Sequence, residues 1–232
     1  MVVVAFNEER WIGPYLRSLR AQDYPRPWYE IIVVDNGSTD RTAEIARSLG
    51  ARVVFEPVRG VARARQRGAA AARGEILAGT DADAMAPPSW LAEIGKGFAR
   101  DPALAAMTGP ILLYRGTPLE VWFVKHISNG STRFTYTLRR GLFPGTNFAV
   151  RASEFWRVGG FNSVLLSGED IDLAMRLSAV AKTMYNPEMV MYVSARRAGE
   201  GYRNVFLRAS LDFIRVVLLG LPPSGKDFVP IR

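Results

Sequence analysis

The chain reads as an α/β domain, a Rossmann-like, mostly parallel sheet with helices on both faces. Short β-branched runs alternate with helix-period segments through its first half, an order that calls for crossover helices. The runs are apolar throughout, as expected of strands covered on both sides. Polar clusters close two of them, Asp35-Asn36-Gly37-Ser38-Thr39-Asp40 and Asp81-Ala82-Asp83. Those positions fall at strand carboxyl ends, where ligands gather in such sheets.

Residues 2–6, Val-Val-Val-Ala-Phe, form the first predicted strand. Residues 8–22 follow as a helix with Trp11, Ile12, Tyr15, Leu16 and Leu19 on one face. Residues 31–34 are the second strand, and the turn at 35–40 supplies N-cap candidates for a helix over 41–49. A short strand at 52–55, an Ala- and Arg-rich helix at 61–73 and a strand at 76–80 complete this half. After Pro87-Pro88 the pattern loosens. It predicts a helix at 89–99 capped by Ser89 and a strand at 105–113. Residues 114–143 read as irregular, aromatic and basic. A short helix with Ser153 as N-cap follows at 153–158. The next helix spans 170–181, with Leu173, Ala174, Leu177 and Val180 on one face, and a strand covers 190–193. The tail reads as an amphipathic helix over 202–219 and an extended, proline-bearing end. The expected division is one domain over 1–200, with a nucleotide-binding half at 1–113 and an acceptor-side half at 114–200, then a tail at 201–232.

With 232 residues, 48% hydrophobic, the chain can bury a sizeable core. Its net charge of +8 suits an anionic partner, such as a nucleotide diphosphate, a nucleic acid or an acidic membrane surface. The arginines sit in scattered clusters, which favours pockets over a nucleic-acid-binding arm, so no nucleic acid is expected. The absence of cysteine excludes disulfides, thiolate zinc sites and cysteine nucleophiles. No uncharged run is long enough to span a bilayer, since residues 205–221 are interrupted by Arg208, Asp212 and Arg215. No signal-peptide pattern is visible. The expected location is cytoplasmic, with peripheral contact at the inner face of the membrane.

Asp81 and Asp83 are costly to place at the end of a buried strand for packing alone. The usual partner of such a pair is a hard divalent cation that takes its other ligands from phosphate oxygens. The turn at 35–40 has the composition of any tight turn, but Asp35 at a strand end could also accept a hydrogen bond from a base N–H or a ribose hydroxyl. In 60–68, Arg63 and Arg67 share a helix face and Arg65 points elsewhere, inward by our reading. Its fork suits phosphate oxygens. Glu169 and Asp170 open a helix, where acids favour the dipole. A carboxylate beside a sugar crevice could equally serve as a general base. Asp172 reads as a capping acid. Gly145-Thr146-Asn147 is either a plain turn or a wall for the donor, and Arg196-Arg197 either surface charge or a diphosphate clamp. His126, the sole histidine, has no assigned role. Asn36-Gly37-Ser38 and Asn129-Gly130-Ser131 match the glycosylation acceptor pattern and are expected to be unused.

The order of these motifs resembles that of the family 2 glycosyltransferases, which have the GT-A fold. The resemblance rests on residues 3–9, 32–40 and 60–68, then Arg73-Gly74-Glu75-Ile76 with Asp81-Ala82-Asp83. It continues through Gly145-Thr146-Asn147, Val158-Gly159-Gly160-Phe161 and residues 168–173. It implies that Ala5, Phe6, Glu8, Asp35, Arg65 and Asp81 hold the nucleotide. Asp83 and Asp81 would bind Mn²⁺ or Mg²⁺, and Gly145, Thr146, Asn147, Arg196 and Arg197 would contact the donor diphosphate. Asp170, with Glu169 beside it, would be the base of an inverting transfer. The implied partners are a nucleotide-diphosphate sugar and a glycan, glycolipid or polyprenyl-phosphate acceptor, as in cell-envelope polysaccharide assembly. Val4 stands where relatives often have proline, and Gln66 where they have asparagine. The Q-x-x-R-W motif of processive synthases is absent. The alternatives are a catalytically idle sugar-nucleotide or membrane-binding module of the same fold, or a nucleotidyltransferase. The latter should carry a glycine-rich loop after its first strand, and residues 6–10 contain no glycine.

Overall fold

The computed structural model of the chain describes residues 1–114 and 116–194. In chain order the elements are β1 (Val2–Ala5), α1 (Ile12–Arg20), a 3₁₀ turn (Arg26–Trp28), β2 (Ile32–Asp35), α2 (Thr42–Ser48), β3 (Arg52–Phe55), α3 (Val61–Ala71), β4 (Ile76–Asp81), β5 (Ala84–Met85) and α4 (Trp90–Arg100). There follow β6 (Leu104–Thr108), β7 (Ile111–Tyr114), α5 (Pro118–Phe123), a π-helical turn (Val124–Ser128), α6 (Asn129–Thr137), β8 (Phe148–Arg151), α7 (Ala152–Arg157), α8 (Glu169–Val180), β9 (Lys182–Tyr185) and β10 (Met191–Ser194).

Seven strands form the main sheet in the order β3-β2-β1-β4-β8-β6-β9. All neighbours are parallel except β8, which runs antiparallel to β4 and β6. A second, small sheet has the order β5-β10-β7. Successive β1 side chains serve opposite faces. Val3 and Ala5 pack with Ile12, Leu16 and Trp90, while Val2 packs with Ile32, Val34 and Ala64. A third cluster, Phe143, Phe148, Phe155, Phe161, Leu173 and Leu177, lies under α8.

The predicted strand at 105–113 is two strands in different sheets. Pro110 cannot donate to a ladder, and the chain at Gly109 runs against the Met189 carbonyl. A polar knot holds the sheets together there. Asn147 Nδ2 donates to the Pro110 and Met189 carbonyls, its Oδ1 accepts from Trp90 Nε1 at 2.9 Å, and Thr108 Oγ1 donates to its carbonyl.

The stretch read as irregular, 114–143, is largely helical. Thr117 and Glu120 form a capping box around Pro118. The π turn in mid-rod breaks the 3.6-residue period by which a helix is recognised in sequence. Three smaller expectations also shift. Ser89 occupies the N-cap of α4 without a side-chain bond, Arg151 and not Ser153 caps α7, and Val180 is exposed. The Asn36 and Asn129 side chains are buried and bonded to backbone, which explains why neither suits glycosylation. The helix expected at 202–219, the tail at 201–232, Arg196 and Arg197 lie outside the described residues. Among the described residues no helix is long and apolar enough to cross a membrane.

Gly79 in β4 lies opposite Phe148, and a Cβ there would fall 2.1 Å from two carbons of the Phe148 ring. Gly79→Ala should therefore cost about 1–3 kcal/mol, read as a lower urea midpoint at unchanged slope.

Candidate active site

The crevice lies at the carboxyl ends of β1, β2 and β4. Ala5 and Asp35 are paired across β1 and β2, and Asp81 ends β4. The loop after β1 is tied to the turn after β2. Asn7, with φ of 53°, donates its N–H to Ser38 Oγ and accepts from Thr39 N. Glu8 N donates to Thr42 Oγ1, Glu9 N to Asp40 Oδ2, and Arg41 N to Glu9 Oε2. The polar turn is thus largely spent on shaping the crevice. Asp35 is the exception: it is buried, and its Oδ1 accepts from Ser38 N at 3.0 Å. Phe6 forms the outer wall with the Arg59 guanidinium stacked on its ring, 3.1 Å from the centroid. Ala5 is buried and its carbonyl accepts from Asn36 N, so it supports that wall from behind.

Arg65 points inward from α3 while Arg63 and Arg67 face solvent. Its side chain is 7% exposed. Nη2 donates to Asp81 Oδ1 at 2.9 Å, and Nη1 lies 3.1 Å from Glu169 Oε1. The second contact is an ion pair without hydrogen-bond alignment. Burial works against the charge, but Glu169, Asp81 and Asp170 outweigh it and hold the guanidinium protonated. Arg65, expected to contact the nucleotide, has one guanidinium nitrogen bonded to Asp81 and the other beside Glu169.

Glu169 opens α8 and is buried. Burial pushes its carboxyl up to about 7, Arg65 pulls the other way, and Asp170 and Asp81 add to the rise. Asp170 is half-buried and oriented by backbone, with Oδ2 accepting from Gly145 N at 2.6 Å and Oδ1 from Ile171 N at 2.9 Å. A Cβ on Gly145 would overlap the Arg65 guanidinium, so any side chain there would have to displace it. The end of β4, Arg65, Gly145 and the start of α8 therefore meet at one point. Asp172 instead pairs with Arg176, whose guanidinium holds the Val158 and Gly160 carbonyls.

Asp83 is buried two residues past Asp81, and Tyr114 Oη donates to its backbone carbonyl. Among the described residues no group of three or more metal-ligating side chains exists. Asp81 and Asp83 are hard oxygen donors, and they fit a divalent cation that draws its other ligands from a diphosphate. Arg65 occupies Asp81 Oδ1, which leaves Oδ2 for that purpose. Thr146 Oγ1 is buried without a hydrogen-bond partner. Asn147, expected to contact the donor, is fully buried in the knot between the sheets. Arg59 and Gln66 were missed as site residues. Gln66 Oε1 accepts from Phe161 N, tying α3 to the turn before α8. Nothing in local sequence signals a contact across 95 residues.

A Rossmann-like sheet with a carboxylate pair at the end of β4 and a carboxylate-bearing helix start facing it is the layout of a GT-A glycosyltransferase domain. The family model for Glycosyl transferase family 2 matches residues 1–159, and the chain belongs to that family of enzymes. It is 28% identical over 214 residues to validoxylamine A glucosyltransferase of Streptomyces hygroscopicus subsp. limoneus, covering 77% of this chain and 47% of that protein. Glycosyltransferase AglE of Haloferax volcanii is 26% identical over 241 residues, covering 95% and 78%. Among solved structures, mannosyltransferase PcManGT from Pyrobaculum calidifontis, in complex with GDP-Man and Mn²⁺, superposes with a TM-score of 0.72 at 24% identity. That match covers 97% of this chain and 65% of the other, and it shows the shared fold. The chain thus spans about half the length of the validoxylamine A glucosyltransferase. Family membership sets aside the nucleotidyltransferase alternative.

Arg65→Met should destabilise the domain by about 3–5 kcal/mol, because it leaves buried carboxylates uncompensated. Arg65→Met/Glu169→Leu should recover part of that loss in the same denaturation assay. The raised Glu169 pKa means that its ionised form is disfavoured in the fold. Its favourable balance is complete below pH 4.5 and is lost as pH rises through about 7. Glu169→Gln should therefore gain stability relative to the parent over that interval, seen as a narrowing gap in melting temperature. A gap independent of pH would contradict the assignment.

Proposed function

We propose that the domain transfers a glycosyl group from a nucleoside diphosphate sugar to an acceptor hydroxyl or lipid phosphate, with inversion and with a divalent cation. The observation that carries this reading is the double contact of Arg65, which joins Asp81 on the donor side to Glu169, next to Asp170, on the acceptor side. Asp35 is suited to accept from a ribose hydroxyl or a base N–H, and Phe6 offers an aromatic wall beside it. Gly145 and Thr146 face the donor from the opposite side. Asp81 and Asp83 would hold Mn²⁺ or Mg²⁺. When bound, that cation would neutralise charge on the departing nucleoside diphosphate. The GDP-Man and Mn²⁺ named for the mannosyltransferase structure support a sugar nucleotide and a divalent cation here.

Asp170 is the base. It is half-buried rather than sequestered, and two backbone N–H groups fix its carboxylate while leaving lone pairs for an acceptor proton. An acceptor deprotonated there attacks the anomeric carbon from the face opposite the leaving diphosphate, which inverts the configuration. Glu169 is a positioning residue, since it is buried and engaged by Arg65. The acceptor class is a glycan, glycolipid or polyprenyl phosphate of cell-envelope polysaccharide assembly, met at the inner face of the membrane.

A thermal-shift screen of UDP-, GDP-, CDP- and dTDP-sugars with and without Mn²⁺ should reveal one stabilising base. Asp83→Ala should abolish the metal-dependent part of that shift, and an unchanged dependence would refute the metal assignment. Asp170→Asn should lower kcat by about 10²–10⁴-fold while donor binding persists. If no donor is bound or hydrolysed, the domain is an idle relative.

A further inference from the structure

Outside the crevice, α5, the π turn and α6 form one continuous helical rod. Its outer side carries Leu119, Trp122, Ile127, Phe134 and Leu138, exposed by 72%, 53%, 47%, 54% and 45%. Its inner side is anchored. Asn129 exchanges both side-chain hydrogen bonds with the backbone of Ile111, and Thr135 is fully buried. In a regular α-helix the five-residue step from Trp122 to Ile127 would separate them by about 140°. The π turn over Val124–Ser128 has more residues per turn and keeps both on the outer side. Apolar exposure is therefore gathered into a stripe, not scattered.

The charges around the stripe have one sign. Lys125 and Arg133 are exposed along the rod, and Arg139 and Arg140 are exposed just past its end. The single acid in the same stretch, Glu120, is held in the capping box by Thr117 N. Leu, Trp, Ile and Phe flanked by Lys and Arg suit the boundary between anionic headgroups and acyl chains. We propose that this rod is a membrane-docking surface for anionic lipid. It does not depend on the proposed chemistry. It lies close to the crevice, because Tyr114, which ends β7 just before the rod, donates its hydroxyl to the Asp83 carbonyl at 3.2 Å. Docking in this orientation would bring a bilayer-borne acceptor close to the crevice.

The test is vesicle co-sedimentation of the full chain. Vesicles of equal parts phosphatidylglycerol and phosphatidylcholine should bind it, and pure phosphatidylcholine or high salt should weaken binding by about tenfold or more. Trp122→Ser/Phe134→Ser and, separately, Lys125→Glu/Arg133→Glu should each lose about tenfold in partition. Both should keep the parent melting temperature and nucleotide response. Leu119→Ser/Leu138→Ser serves as a replacement if the first pair does not fold. The proposal is overturned if the parent ignores anionic vesicles, or if folded variants bind as well as the parent, which would assign binding to another segment. A concentration-dependent dimer abolished by Trp122→Ser/Phe134→Ser, without vesicle binding, would overturn it in favour of a protein partner.

Discussion

Removing the Arg65 guanidinium from water is costly, and here the carboxylates that surround it offset the cost. Asp81 comes from the end of β4, Glu169 and Asp170 from the start of α8, and Arg65 from α3. For the three to meet, α3 must lie over β1 and β2, and α8 must begin at the carboxyl edge of the sheet. A side chain at Gly145 would have to push the guanidinium aside, since it fills the space a Cβ would take. The same N–H that borders Arg65 orients Asp170. One buried cation thereby couples the two halves of the crevice, and a disturbance on either side reaches the other through it.

Around this centre, order comes from polar side chains that bond to other parts of the chain. The turn after β2 caps and ties the loop after β1 through Ser38, Thr39, Asp40 and Thr42. Asn147 does the same for the junction of the sheets, with every side-chain hydrogen-bonding group engaged. Buried amides and hydroxyls are tolerated only when so satisfied. Here that requirement fixes loops whose backbones line the site. Gln66 and Arg176 extend the scheme to the turn at 158–161, which Arg176 holds from one side and Gln66 from the other.

The second sheet and the rod of α5 and α6 have a different character. Ala84 and Met191 of the second sheet pack into the main core, whereas the rod is held chiefly by the Asn129 clamp on Ile111. The exposed side of the rod carries apolar and cationic residues, unlike the acid-balanced faces of α2 and α7, where Arg41 pairs with Glu44 and Arg157 with Glu154. The domain thus pairs a crevice bounded by internally hydrogen-bonded loops with an outward-facing flank rich in unburied apolar surface.

Sequence alone determined the strand–helix alternation, the positions of β1 to β4, and the strand-end placement of Asp35 and Asp81. These are local properties: a run of β-branched residues or a cluster of turn formers carries its own signal. The inward aim of Arg65 was legible too, from its helical offset against Arg63 and Arg67. What Arg65 meets was not. Asp81 is 16 residues away, and Glu169 reaches it only once the two halves of the chain have packed together. The burial of Asn147, the split of β6 from β7 and the rod with its π turn were decided the same way. Each depends on partners distant in sequence, and a hydrogen bond or ion pair between distant segments leaves no periodicity in either one.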